Sequence, residues 1–334
     1  MRIAFVIDRI SNMGGMERVL VEKMNYLVDH TFHEIVLFTV WHDTKPDAFP
    51  ISGRVRRVKL NIPLSYVGLY IAMPWALHRF NKEMKRISPD VVVLNHAIGA
   101  FFAAFTSYGG KMVYESHVPL RYMNHQWIYP LMLKKIKSIV CLTKGDADDF
   151  LQMSAKQNCN LLITTIPNHT LLQSSLFPDD SSNIVVSAGR ICYEKNFERM
   201  ETLWKKIAKS YTNWTLKIHH VTKDMESAYL EGSIFVMTSR FEGFGMVLVE
   251  AMTCGLPCIA FDCPYGPREI IEDGRTGYLI PYDDDEMFIE KLTYLMEHPE
   301  VRKHMGKAAK ESAKRFSVDS VMQKWKNFYE TLPH

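Results

Sequence analysis

The 334-residue chain carries 47% hydrophobic and 23% charged residues, a balance that excludes a disordered or collagen-like protein. Its length points to about two domains, and no apolar run approaches the ~20 residues that a bilayer-spanning helix needs. The net charge of +3 divides unevenly: residues 1–168 hold 20 Lys and Arg against 13 Asp and Glu, whereas residues 169–334 hold 20 against 24. A basic first half either attracts anionic lipid or nucleic acid or is simply a solvated face.

In chain order, short β-rich apolar runs alternate with longer helical patterns, as in parallel sheets covered on both faces. In the first half, strands are predicted at Arg2–Asp8, Glu34–Val40, Val55–Leu60, Asp90–Asn95, Lys111–Glu115 and Ser138–Leu142. Helical stretches between them include Met16–Val28, Tyr70–Ile87 and Leu120–Ile136. The Ile3–Ile7 run is too short for a signal-peptide core and is followed by Asp8 and Arg9. Polar Pro167–Asn183 reads as a linker. A second strand series follows at Ile184–Ala188, Trp214–Ile218, Ile234–Thr238, Pro257–Phe261 and Gly277–Ile280. Helices within Asp284–Met296, Val301–Ala313 and Val318–Glu330 close the chain, the last capped by Ser317. The expected architecture is α/β: two doubly wound Rossmann-like domains facing across a cleft, at 1–168 and 184–316, joined by a linker at 169–183. The terminal helix at about 317–332 is a candidate to pack back on the first domain. Six cysteines without a framework spacing suit a reducing compartment, so a cytoplasmic protein is expected.

Three stretches could carry chemistry. Gly14 and Gly15 follow the first strand and precede a helix, where backbone amides can approach a phosphate or a sugar. The spacing is not that of a nicotinamide-binding fingerprint, and a Gly-Gly pair can equally be a tight connection. Ser187-Ala-Gly-Arg190 ends the first strand of the second half, with Lys195 and Asn196 in the next loop. A guanidinium and an ammonium there can bracket a diphosphate or merely sit as exposed cations. The third stretch, Thr238 to Met252, places Glu242 before a Gly243-Phe244-Gly245 turn and Glu250 on an apolar helix face. A carboxylate buried there needs good hydrogen bonds, and sugar hydroxyls can donate them; the alternative is a helix-capping Glu242 and a satisfied core Glu250.

Together these stretches resemble retaining glycosyltransferases of family 4, of the bacterial surface-polysaccharide type, with the GT-B fold. The resemblance rests on Gly14-Gly15-Met-Glu-Arg18, on Ser187-Ala-Gly-Arg190 with Lys195-Asn196, and on the Glu242/Glu250 pair eight residues apart. Ile166-Pro-Asn168, Cys263-Pro-Tyr-Gly-Pro-Arg-Glu-Ile270 and Gly274-Arg-Thr-Gly-Tyr-Leu279 also fit. It implies that Arg190 and Lys195 hold the donor diphosphate and Glu250 the nucleotide ribose. Glu242, with the amides of Gly243, Phe244 and Gly245, would hold the transferred hexose; Gly15 would lie beneath the donor phosphate and the acceptor, with Gly14 also on the donor side. His117, in Tyr114-Glu-Ser-His-Val-Pro119, would face the anomeric carbon and either steady an oxocarbenium-like transition state or orient the sugar. No metal cofactor is implied. Asp283-Asp-Asp285 precedes a helix that aspartates would cap. Cys254, Cys258 and Cys263 lack a zinc spacing, and Arg54, Arg56, Arg57 and Lys59 read as an exposed strand face.

The second half departs from the family. Trp214–Ile218 runs directly into His219-His-Val-Thr-Lys-Asp224, where a further strand–helix unit is expected; the base pocket would lie near Val221. The expected function is retaining transfer of a hexose or N-acetylhexosamine from a nucleotide diphosphate sugar, UDP-linked rather than GDP-mannose. The acceptor would be a glycan or a lipid-linked glycan in polysaccharide biosynthesis. The alternative is a degenerate, non-catalytic nucleotide-sugar or glycan-binding protein. No nucleic-acid partner is expected. Basic and aromatic residues in Met73–Arg86 and Arg121–Lys137 suit peripheral contact of the first domain with an anionic membrane; the competing reading is two ordinary helices with a buried aromatic face.

Overall fold

The structure, a computed structural model, describes residues 1–63, 66–179, 181–220 and 224–332, and of residues 66–71 the backbone only. It divides into two compact units, Met1–Ile166 and Pro167–His334. In the first, β1 (Arg2–Ile7), α1 (Gly15–His30), β2 (Glu34–Trp41), β3 (Arg56–Ile62), α2 (Tyr66–Ile87), β4 (Val91–Asn95) and α3 (His96–Phe105) come in order. They are followed by β5 (Lys111–Ser116), α4 (Tyr129–Leu133), β6 (Ser138–Cys141), α5 (Lys144–Lys156) and β7 (Leu162–Thr165). All seven strands are parallel, in the order β3-β2-β1-β4-β5-β6-β7. The central strands are apolar nearly throughout, as strands covered on both faces must be; β1 and β4 are buried almost end to end. Edge strand β3 instead alternates, and its exposed Arg56 and Arg57 pair with Glu34 and Asp47. Cations on an edge discourage pairing with another chain.

The expected helix over Leu120–Ile136 is not formed as one piece. Two 3₁₀ turns, Leu120–Tyr122 and Gln126–Ile128, precede the single-turn α4. His125 takes a left-handed backbone conformation (φ +56°) and Pro130 occupies the first turn of α4, so the chain changes direction twice where an unbroken helix would have run. Helix α3, HAIGAFFAAF, is apolar on nearly every side and gives no 3.6-residue stripe to detect. Strand β7 is only four residues long and half-exposed at the sheet edge.

The second unit comprises β8 (Ile184–Ala188), α6 (Phe197–Ile207), β9 (Thr215–His219), α7 (Met225–Leu230), β10 (Ile234–Met237) and α8 (Met246–Thr253). After these come β11 (Cys258–Phe261), α9 (Pro267–Ile270), β12 (Gly277–Ile280), α10 (Asp285–Glu297), α11 (Pro299–Ala313) and α12 (Val318–Thr331). The parallel order is β12-β11-β10-β8-β9. Among the described residues β9 pairs with β8 alone and leads within a few residues to α7, so this sheet has five strands. Segment 167–179 forms no helix or strand, yet it is tied down: the Thr170 amide donates to Phe316 O, and Lys310 sits over the Phe177 ring. Ser317 caps α12 and Asp284 caps α10, as their positions before apolar helices predict. Asp285 is engaged by Arg199 at 2.7 Å.

Candidate functional site

In parallel α/β sheets the strands' carboxyl ends face the connecting loops, where ligands bind. In the second unit, β8 delivers Arg190 to that end, exposed and in no ion pair among the described residues. Five residues on, Lys195 Nζ lies 2.7 Å from Oε1 of Glu242, which also accepts from Ser239 Oγ at 2.6 Å. Two motifs 47 residues apart thus meet, and both members of the pair are largely buried. The turn carrying Glu242 needs glycine at two positions. Gly245 caps α8 with φ +103°, and Gly266 (φ +49°) packs so close to the Phe244 carbonyl that a Cβ would collide with it. Phe244 is buried edge-to-face against Phe316, ring centroids 5.6 Å apart; it anchors the turn with its side chain and leaves only backbone for a ligand.

Glu250 lies on the apolar side of α8 among Leu248, Val249, Ala251 and Met252. Its carboxylate accepts from the Tyr229 hydroxyl at 2.8 Å, and burial together with this carboxylate holds the Tyr229 phenol well above its ordinary range. Tyr229 is thus a partner of Glu250 that spacing alone did not reveal. Val221 lies outside the described residues.

In the first unit, Gly14 is the N-cap of α1 and Gly15 its first residue. The Glu17 carboxylate folds back into the space a Gly14 side chain would take and accepts from Asn12 Nδ2 at 3.1 Å, whereas a Cβ on Gly15 would meet only open space. His117 follows β5 with its side chain only 3% exposed; Nε2 lies at ion-pair distance, 3.3 Å, from Glu115 Oε1, and neither ring nitrogen makes a well-formed hydrogen bond among the described residues. Behind it, Lys23 Nζ reaches both oxygens of Glu115 at 2.5 Å, with both side chains buried. Burial alone would raise the Glu115 carboxyl, but the charges of Lys23 and His117 outweigh it and hold the group at about 2. Lys23 is lowered by its burial, against the pull of Glu115.

A second buried carboxylate fixes the loop that carries His117. Asp146, in the first turn of α5, accepts from Ser116 Oγ at 2.6 Å and from the Leu120 amide at 2.7 Å. Burial pushes its carboxyl up to about 6 despite these bonds. Both Lys23 and Asp146 left a signal in the sequence: Lys23 shares the buried face of α1 with Leu20, Met24 and Leu27, at helical spacing. Asp146 follows Thr143 by three residues at a helix start. A further pair, Asp8 and His96, closes the ends of β1 and β4, with Nδ1 3.2 Å from Oδ1. Burial would raise Asp8, but the hydrogen bond and charge of His96 bring it below its ordinary value.

With this geometry in view, the comparisons agree with one another. Residues 13–168 match the family model Glycosyltransferase Family 4, and residues 217–312 match Glycosyl transferases group 1. The amylovoran biosynthesis glycosyltransferase AmsD of Erwinia amylovora is 25% identical over 97% of this chain and 98% of its own length. The apo lipopolysaccharide outer core galactosyltransferase WaaB superposes with a TM-score of 0.79 at 19% identity, covering 99% of this chain and 100% of its own. HepE of Anabaena, solved with UDP and glucose, gives a TM-score of 0.76 at 16% identity with the same coverage. The chain belongs to the glycosyltransferases of the GT-B fold, its first unit of the family 4 type and its second of the group 1 type.

Proposed function

We propose that this glycosyltransferase acts in polysaccharide biosynthesis, moving a hexose or N-acetylhexosamine from a UDP-linked donor to a glycan or lipid-linked acceptor with retention of anomeric configuration. The observation that carries the reading is the meeting of Lys195 with Glu242, in the loop that Arg190 opens at the carboxyl end of β8. Two cations there meet the charge that grows on a departing diphosphate, work that a metal ion does elsewhere, so the reaction is proposed to need none. Glu242 and the neighbouring turn amides would accept and donate to the sugar hydroxyls, and Glu250 would take the ribose. His117, in the first unit, would steady positive charge at the anomeric carbon. No base is required: the acceptor oxygen bonds to that carbon as its bond to the phosphate oxygen breaks, and the acceptor proton goes to the departing phosphate. Similarity to AmsD supports the polysaccharide context, and HepE, solved with UDP and glucose, supports a UDP donor. Peripheral contact with an anionic membrane belongs to the same proposal.

Calorimetric titration with UDP, GDP and ADP tests the donor assignment; UDP is expected to bind tightest, and equal or absent binding of all three overturns it. The five-stranded second sheet favours a second reading, a nucleotide-sugar-binding protein without turnover. That reading predicts UDP binding with no UDP release from any nucleotide sugar.

A further inference from the structure

The first unit holds a half-open cavity of about 760 Å³ that touches the donor chemistry only at His117, on its edge. We propose that it receives the hydrocarbon chain of an amphiphilic acceptor, so that the acceptor is lipid-linked rather than a free glycan. The inference rests on the glycosyltransferase reading and deepens it.

The cavity's polarity is the first argument. Leu77 of α2, Ile98 and Phe101 of α3, and Trp127 and Ile128 of the irregular segment before α4 supply apolar walls. Apart from Asn124 and His125 on the same irregular segment and the hydroxyls of Tyr114, Tyr122 and Tyr129, the first of them engaged with Met123 Sδ, the polar groups are Asp8, His96 and His117. These three follow the carboxyl ends of β1, β4 and β5, which are neighbours in the sheet. Apolar helices and loop on one side, with a polar edge on the other, match a molecule that is itself apolar along its length and polar at one end. A free oligosaccharide would instead require hydrogen-bonding groups along the walls.

The rim is the second argument. Trp127, which lines the cavity, is 54% exposed; Trp75, next in sequence to the lining Pro74, is 45% exposed with Arg79 over its ring at 4.9 Å. Lys134 and Lys135 are exposed in the turn that follows α4. Aromatic rings beside cations suit the phosphate-bearing junction of a lipid-linked sugar. The third is backbone strain: His96 (φ +61°) and His125 (φ +56°), both non-glycine residues in the left-handed region, line this one cavity. Such conformations persist where the surroundings over-determine them, as at ligand sites.

The test uses hexyl, octyl and nonyl glucoside, each below its critical micelle concentration, titrated into the full chain without donor. Affinity is expected to rise about fourfold per added methylene, the equivalent of ~0.8 kcal/mol. Ala97→Phe, which adds a ring at the cavity wall, should abolish that dependence, with Leu77→Trp as a second filling variant should the first not fold. Phe32→Ser, at an exposed aromatic remote from the cavity lining, should leave the dependence intact. UDP affinity should be the same in all variants. Equal affinity for the three glucosides, unchanged chain-length dependence in a folded filling variant, or a dimer that the filling variants dissociate overturns the inference. Intact chain-length dependence without any UDP binding overturns the donor reading alone.

Discussion

Replacing Lys23 by Met should expose how the first unit carries a buried charge behind His117. The substitution keeps an unbranched side chain, one atom shorter, and removes the ammonium, leaving the buried Glu115 carboxylate with His117 alone beside it. The fall of the Glu115 carboxyl from 4.5 to about 2 corresponds to about 3 kcal/mol of stabilisation at neutral pH. Breaking a buried pair by removing one partner costs about 3–5 kcal/mol, so both routes give the same scale. The sign follows from linkage. A depressed carboxyl stabilises the fold above its unfolded value of about 4.5 and loses that contribution as pH falls towards 2. Without Lys23 only His117 still opposes the burial that raises this carboxyl, so its pKa rises and the variant should lose less stability than the unsubstituted protein as pH falls. Lys23→Met/Glu115→Gln, lacking both charges, should recover at least half of the loss. Urea unfolding followed by tryptophan fluorescence at several pH values measures this, and the transition that shifts identifies the first unit. A loss below about 1 kcal/mol at pH 7, or a pH dependence matching the unsubstituted protein, would refute the reasoning.

Four further outcomes follow from the same geometry. Glu250→Ala should weaken UDP by about 1–3 kcal/mol in calorimetry, whereas Tyr229→Phe should chiefly lower stability, by about 0.5–1.5 kcal/mol; unchanged UDP affinity in folded Glu250→Ala removes the ribose role. Arg190→Ala or Lys195→Ala should weaken UDP far more than uridine, and equal losses for the two ligands would mean that these residues act on the fold. Asp146, raised to about 6, binds its proton more tightly when folded, so stability should decline by about 3 kcal/mol as pH rises from about 4 to above 6. Asp146→Asn should flatten that decline in thermal unfolding scans. Co-sedimentation with anionic vesicles at low salt should succeed and should fade as salt is added, since screening acts beyond about 8–10 Å; protein that stays in the supernatant contradicts membrane contact.

Much of the fold is legible because parallel strands covered on both faces must be apolar. The Arg2 and Ile184 strands and their neighbours stand out from polar loops, and the observed boundaries lie within one or two residues. Elements escape where that contrast fails: α3 is apolar on nearly all sides, and β7 is too short to alternate. Over Leu120–Ile136 the sequence reads as one helix, but a left-handed His125 reports tertiary packing and no local propensity. In the candidate site, Glu242, Glu250, Arg190 and Lys195 are marked by their motifs. Their contacts with one another and with Tyr229 and Ser239 arise only when strands distant in sequence pair, as β8 and β10 do. The supporting shell of His117 is harder to read, because Lys23 and Glu115 are 92 residues apart and become a pair only through the packing of α1 on the sheet.

The central claim is that this chain turns over a nucleotide sugar, and UDP release from a panel of UDP-hexoses and UDP-N-acetylhexosamines measures it directly. Release that depends on donor identity and acceptor, and falls at least a hundredfold in Glu242→Ala with UDP still bound, is the predicted result. UDP binding without release from any donor across acceptors would contradict the account and leave a binding protein in its place.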